Sequence, residues 1–151
     1  MTTIIEKPLV LEISRRFDAP PERVYDAWLG ASWGEWLGPA GARCESVSGE
    51  ARVGAPYTVA MIKPDGGAIE ITGVYRELAR PKKLAFTWTS EFCKSESLVT
   101  LTFERDGAGT LMKFRHEGFD STDARDGHNR GWNGEGASFD RLEALLAKSA
   151  R

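Results

Sequence analysis

The chain has 151 residues, 28% of them charged and 41% hydrophobic, with a formal net charge of −2. That length and composition fit one globular domain spanning residues 1–151, large enough to bury roughly 70% of its unfolded surface. The near-neutral charge gives no electrostatic reason to expect nucleic acid or an anionic membrane as the main partner, and no apolar run approaches the ~20 residues of a membrane helix.

The opening MTTIIEKP lacks the basic region and apolar core of a secretory leader, so a cytoplasmic location is expected. Leu9 to Phe17 alternates Leu9, Leu11, Ile13 and Phe17 against Val10, Glu12, Ser14 and Arg16, which predicts a strand, with Arg15 out of place on the apolar side. Ala19-Pro20-Pro21-Glu22 starts a helix, because a proline in the first turn has no N–H to leave unpaired and Glu22 suits the helix dipole. Val24, Ala27 and Trp28 form its buried face. Ser32 and Glu35 have the spacing of a capping box for a second short helix carrying Trp33, Trp36 and Leu37, ended by Gly38-Pro39. At helical spacing Trp33 and Trp36 are not both expected on one core face. One of them is expected at the surface or at a pocket mouth, where it could support a weak homodimer; the alternative is a monomer.

From Ala42 to Glu117 the period changes to two, with turn signals at Lys63-Pro64-Asp65-Gly66-Gly67, Ala79-Arg80-Pro81-Lys82 and Arg105-Asp106-Gly107-Ala108-Gly109. About six sequential strands joined this way predict an antiparallel meander. Cys44 and Cys93 lack metal-site spacing and are expected as free thiols.

The last fifth, Asp120 to Lys148, reads as one long helix. His128, Trp132, Glu135, Phe139, Leu142 and Leu146 recur at spacings of 4, 3, 4, 3 and 4 on one face. Gly127, Gly131, Gly134 and Ser138 form a stripe beside it. Each such glycine costs about 1 kcal/mol against alanine, so the stripe means either close packing on the sheet or room left for a cavity. As the only long amphipathic element, this helix is expected to cover the apolar face of a sheet curled around it.

Arg16-Phe17-Asp18-Ala19-Pro20, Val24-Tyr25-Asp26-Ala27-Trp28, Trp36-Leu37-Gly38-Pro39, Gly73-Val74-Tyr75-Arg76-Glu77 with Pro81, Gly109-Thr110-Leu111 before His116, and Gly131-Trp132 with Leu142 follow one another in a specific order. Over nearly its whole length the chain resembles the SRPBCC (START-like, Bet v 1-like) superfamily and, within it, the Hsp90-ATPase-activator-homologue (AHSA1) family. Arg52-Val53-Gly54-Ala55-Pro56 departs from the Arg-Pro-Gly-Gly that members often carry before the third strand. The resemblance implies an α+β helix-grip fold: a curled antiparallel sheet of about six to seven strands gripping the long C-terminal helix, with two short helices after the first strand and a ligand cavity between sheet and helix. It implies function weakly, because the same fold serves lipid carriers, cyclases and co-chaperone domains.

The expected ligand-binding residues are Trp28, Trp36, Tyr57, Met61, Trp88, Phe103, His116, Trp132, Glu135 and Phe139. They are inward-facing and mostly aromatic, as pockets for small hydrophobic molecules are. Inward polar groups are few: His116, Glu135, His128 and Thr72. His116 and Glu135 could meet across the cavity as a ligand anchor or an acid–base pair; the plainer alternative is a hydrogen bond tying strand to helix. The sequence has no nucleophile elbow, P-loop, dinucleotide fingerprint or metal-ligand spacing, so no catalytic residue, metal or cofactor is expected. The leading expectation is a non-enzymatic binding protein for a small hydrophobic or aromatic molecule. The alternatives are a co-chaperone-like module that binds a chaperone, and a cyclase- or hydrolase-like enzyme using His116 and Glu135.

Overall fold

The first alternating stretch forms β1 (Leu9–Phe17), which pairs antiparallel with the last strand of the chain in the computed structural model. The structure describes residues 9–91 and 93–148; the MTTIIEKP segment and the Cys93 side chain lie outside what is described. Then come β2 (Arg43–Ser48), β3 (Pro56–Ile62), β4 (Ala68–Ala79), β5 (Lys83–Ser90), β6 (Cys93–Asp106) and β7 (Gly109–Phe119). The sheet has seven strands in the order β1-β7-β6-β5-β4-β3-β2. From β2 to β7 each strand pairs with the next, which is the meander that the short turns require.

Arg15 explains its own place on the apolar side of β1. Its guanidinium lies 2.8 Å from Asp140 and 3.3 Å from Glu143 on the C-terminal arm and 5.6 Å from the centre of the Phe17 ring. Its long side chain lets the charged head reach these carboxylates from an apolar strand face.

The helix α1 (Pro21–Ala27) has proline in its first turn. The second short helix is of the 3-10 type, Gly30–Glu35, with Leu29 at its N-cap position, so the Ser32–Glu35 capping box does not form. Trp33, inside this helix, and Trp36, its C-cap, lie three residues apart and so share a face; both enter the core, at 0% and 1% exposure. This corrects the expectation that one of them is exposed, and it removes the ground for a dimer built on Trp33.

The sheet curls around a C-terminal helical arm, as the helix-grip fold requires. The arm is not the unbroken helix expected from Asp120 to Lys148: α2 (Thr122–Asn133) and α3 (Ser138–Lys148) are separated by a short turn. Gly134 and Gly136 weaken the helix there, and Gly136 has a φ of 71°, which an L-residue adopts at a cost. Polar contacts hold the turn. The Asp140 carboxylate accepts the Gly136 N–H at 2.8 Å, and the Ser138 hydroxyl, 2.8 Å from the Gly131 carbonyl oxygen, serves one of the free carbonyls at the end of α2. At the other end of α2, Ser121 caps the Ala124 N–H at 3.0 Å. Among the described residues no helix is long and apolar enough to cross a membrane.

Candidate functional site

The interior on the concave side of the sheet is lined with aromatic rings and has a filled part and an open part. In the filled part, Trp28 is central. Its ring centre lies 4.7 Å from that of Trp36, 5.7 Å from Trp132, 6.0 Å from Phe139 and 6.2 Å from both Phe86 and Phe114. These mostly tilted and edge-on contacts pack the interior under α3.

The open part lies under α2. A cavity of about 460 Å³ runs between α2 and strands β3, β4 and β5. Met61, Ile69, Ile71, Trp88 and Trp132 supply apolar wall, and Gly127 and Gly131 face it from the helix. A Cβ placed on Gly131 would meet nothing within 4 Å. At Gly131 the stripe leaves room, whereas a Cβ on Gly134 would clash with the Arg130 carbonyl oxygen. Leu37, Gly38 and Pro39 from the loop after the 3-10 helix close one side, and exposed Ser121, Asp123 and Arg130 stand at the rim with half-buried Lys63. That loop is pinned to α3. Arg141 donates to the Ala42 carbonyl at 2.9 Å and to the Pro39 carbonyl, and the Gly38 N–H donates to Ser138 Oγ at 2.9 Å.

Of the expected binding residues, Met61, Trp88 and Trp132 border this cavity. Trp28, Trp36, Tyr57, Phe103 and Phe139 are buried in the filled core instead; Phe103 packs on Tyr25 at 5.6 Å and Tyr57 on Trp33 at 5.0 Å. Glu135 is exposed on the turn between α2 and α3, so it is not on the apolar stripe and does not face His116. Thr72 is exposed as well. Sequence reasoning passed over Ile69 and Ile71 as cavity wall and gave His128 only a minor place. The signal for His128 was available: it lies one turn before Trp132 on the same face.

His116 is fully buried and its partners are protein groups. Trp132 Nε1 donates to His116 Nδ1 at 3.2 Å, so the imidazole proton is on Nε2, which donates to Ser97 Oγ at 2.8 Å. Ser97 in turn donates to the Trp88 carbonyl at 2.6 Å. The chain of bonds ties α2 to β7, β6 and β5, and both ring nitrogens are used. Burial, reinforced by the nearby His128, lowers the His116 pKa to about 2. A neutral imidazole with both nitrogens engaged is a structural link, not an acid or base.

His128 is half-buried on α2 and borders the cavity. Its Nδ1 lies 2.7 Å from the Ala124 carbonyl oxygen, and a carbonyl only accepts, so Nδ1 carries the proton. Burial lowers its pKa, opposed by that carbonyl and by Asp120. The neutral ring therefore presents Nε2 as a bare acceptor. Cys44 is a free thiol on β2 whose pKa burial raises. Among the described residues no group of three or more His, Cys, Asp or Glu side chains is placed to hold a metal ion.

The profile of a protein family described as "Activator of Hsp90 ATPase homolog 1-like protein" matches residues 18–147. No functionally curated protein matches the chain. Among solved structures, a Chromobacterium violaceum protein is 26% identical, with a TM-score of 0.83 over 91% of this chain and 96% of that one. The AHSA1 protein of Silicibacter pomeroyi is 24% identical, with a TM-score of 0.79 over 93% of this chain and 99% of its own. A Rhodobacter sphaeroides protein is 23% identical, with a TM-score of 0.78 over 92% of each chain. The last two likenesses concern the fold alone.

Proposed function

The chain belongs to the activator of Hsp90 ATPase homolog 1-like family, and from that premise we propose that it binds a small hydrophobic molecule in the cavity beneath α2. The observation that carries this reading is the pairing of the ~460 Å³ space with the glycine face that borders it. Ligand pockets are concave, apolar and of roughly 300–1,000 Å³, and a helix tolerates Gly127 and Gly131 at a propensity cost that packing here does not require. The enzyme alternative loses its pair, since Glu135 is exposed and the nitrogens of His116 are engaged. A chaperone-binding role would draw on apolar surface, and Val53 is the one large hydrophobic residue exposed among those described.

Gly131→Leu tests the reading. The new side chain enters open space on a helix, so the melting temperature is expected to hold or rise. Binding of an uncharged hydrophobic fluorescent probe is expected to weaken tenfold or more, about 1.4 kcal/mol. Unchanged probe binding in a folded variant would place the probe elsewhere and remove the cavity as the binding site. Native mass spectrometry of freshly purified protein gives a second reading, with a co-purified small molecule expected on the wild type and absent from Gly131→Leu.

A further inference from the structure

Two inward-facing positions at the α2 end of the sheet break an apolar pattern. On β6, Ser97 precedes the buried Val99, Leu101 and Phe103; on β7, His116 follows the buried Met112 and Phe114. Ser97 is 1% exposed and His116 0%. Polar groups this deep are costly unless paired, and here they form a directed relay between two tryptophans that border the cavity. Trp132 donates to His116 at 3.2 Å, His116 to Ser97 at 2.8 Å, and Ser97 to the Trp88 carbonyl oxygen at 2.6 Å. Ser97 and Trp88 are cross-strand partners, so that end of the relay is fixed by the ladder. Neither Ser97 nor His116 borders the cavity itself.

Little else sets the height of α2 above the sheet. Its buried residues are Ala124 and Trp132. Within 4 Å, a Cβ on Gly127 would meet only the Arg130 guanidinium and one on Gly131 nothing, so neither position props the helix. The half-buried His128 ring rests on β7, 5.0 Å from the centre of Phe119 and 5.2 Å from that of His116. Apolar contact is non-directional, so the tilted Trp88–Trp132 pair, 4.8 Å between centres, does not by itself fix where Trp132 stands. A hydrogen bond has a set length and angle, and a fully paired buried network rigidifies the groups it joins. We infer that Ser97 and His116 are specificity-determining positioning residues: by holding Trp132 they fix the height of α2 above β5, and so the thickness of ligand that the cavity admits. The inference rests on the ligand-binding reading above and adds what limits the ligand.

The test is calorimetric titration of the full chain with naphthol and decahydronaphthol, which share a carbon skeleton and a hydroxyl but differ in thickness. The wild type is expected to bind the flat naphthol about tenfold more tightly. Ser97→Ala removes one oxygen, and His116→Phe keeps a ring while removing both nitrogens. Each is expected to bring the ratio of the two affinities to about one, and the double variant to go no further than either alone, because both break the same relay. Each breaks it independently, so one variant that folds is enough. A link that serves stability alone would change the melt, or both affinities by one factor, and leave the ratio at its wild-type value. That result in a folded variant would overturn the inference and leave the cavity reading standing, and so would equal affinities in the wild type. Failure of the wild type to bind either probe would overturn both.

Discussion

Replacing Trp132 with alanine is expected to lower the unfolding free energy in urea by about 3–5 kcal/mol, the range for truncating a core aromatic residue. Trp132 is 2% exposed and joins the two halves of the interior. On the filled side its ring centre lies 4.9 Å from that of Phe114 and 5.8 Å from Phe139; on the cavity side it lies 4.8 Å from Trp88. Its Nε1–H is also the group that fixes the His116 tautomer. Trp132→Phe separates these roles. It keeps an aromatic ring but strands His116 Nδ1 without a donor, at an expected cost of about 1–3 kcal/mol. A loss below about 1 kcal/mol for the alanine variant would show that the ring is peripheral to stability.

Acid is expected to destabilise the fold well before the carboxylates titrate. His116 is held at about 2 in the folded chain against an ordinary value of 6.5. Between those values the unfolded chain binds a proton that the folded chain refuses, so stability is full above pH 6.5 and falls as pH drops through the window. One such group contributes a limiting slope of about 1.4 kcal/mol per pH unit, or roughly 2.3 kcal/mol between pH 6.5 and 4.5, because the unfolded-state imidazole is only half protonated at the upper limit. His128, whose pKa is also lowered, adds a change of the same sign. Urea melts at a series of pH values measure the slope. In His116→Phe it is expected to drop by about the contribution of one histidine, although that variant starts less stable because Ser97 and Trp132 lose a partner. An unchanged slope in the variant would mean that His116 titrates normally in the folded protein.

Much of the architecture is legible in local pattern. Alternation from Leu9 to Phe17 is β1, and the strands of the meander fall between the expected turns. These features depend on neighbours within a turn or a strand, which a sequence states directly. Trp33 and Trp36 depart from the expectation, because a spacing of three puts residues on one face of an α-helix and of a 3-10 helix alike, and both rings go in. Glu135 is another departure. Its spacing from Trp132 and Phe139 suits a helix face, yet the glycines on either side of it interrupt the helix and turn it outward.

The amino-acid order by itself determined the antiparallel meander, the helical arm and the aromatic interior, because each is written in the periodicity of residues close together in the chain, and the ordered motifs along the chain carried the resemblance to the family. It also placed a glycine face beside Trp132. Only the tertiary structure decided which aromatic residues fill the interior and which border a space. That outcome depends on how the volumes of Trp28, Phe114 and Phe139 add up against a curved sheet, a sum over residues distant in sequence. The partner of His116 was decided the same way. The break at Gly134 to Ala137 turned Glu135 to solvent, and Trp132 from α2 met the imidazole instead.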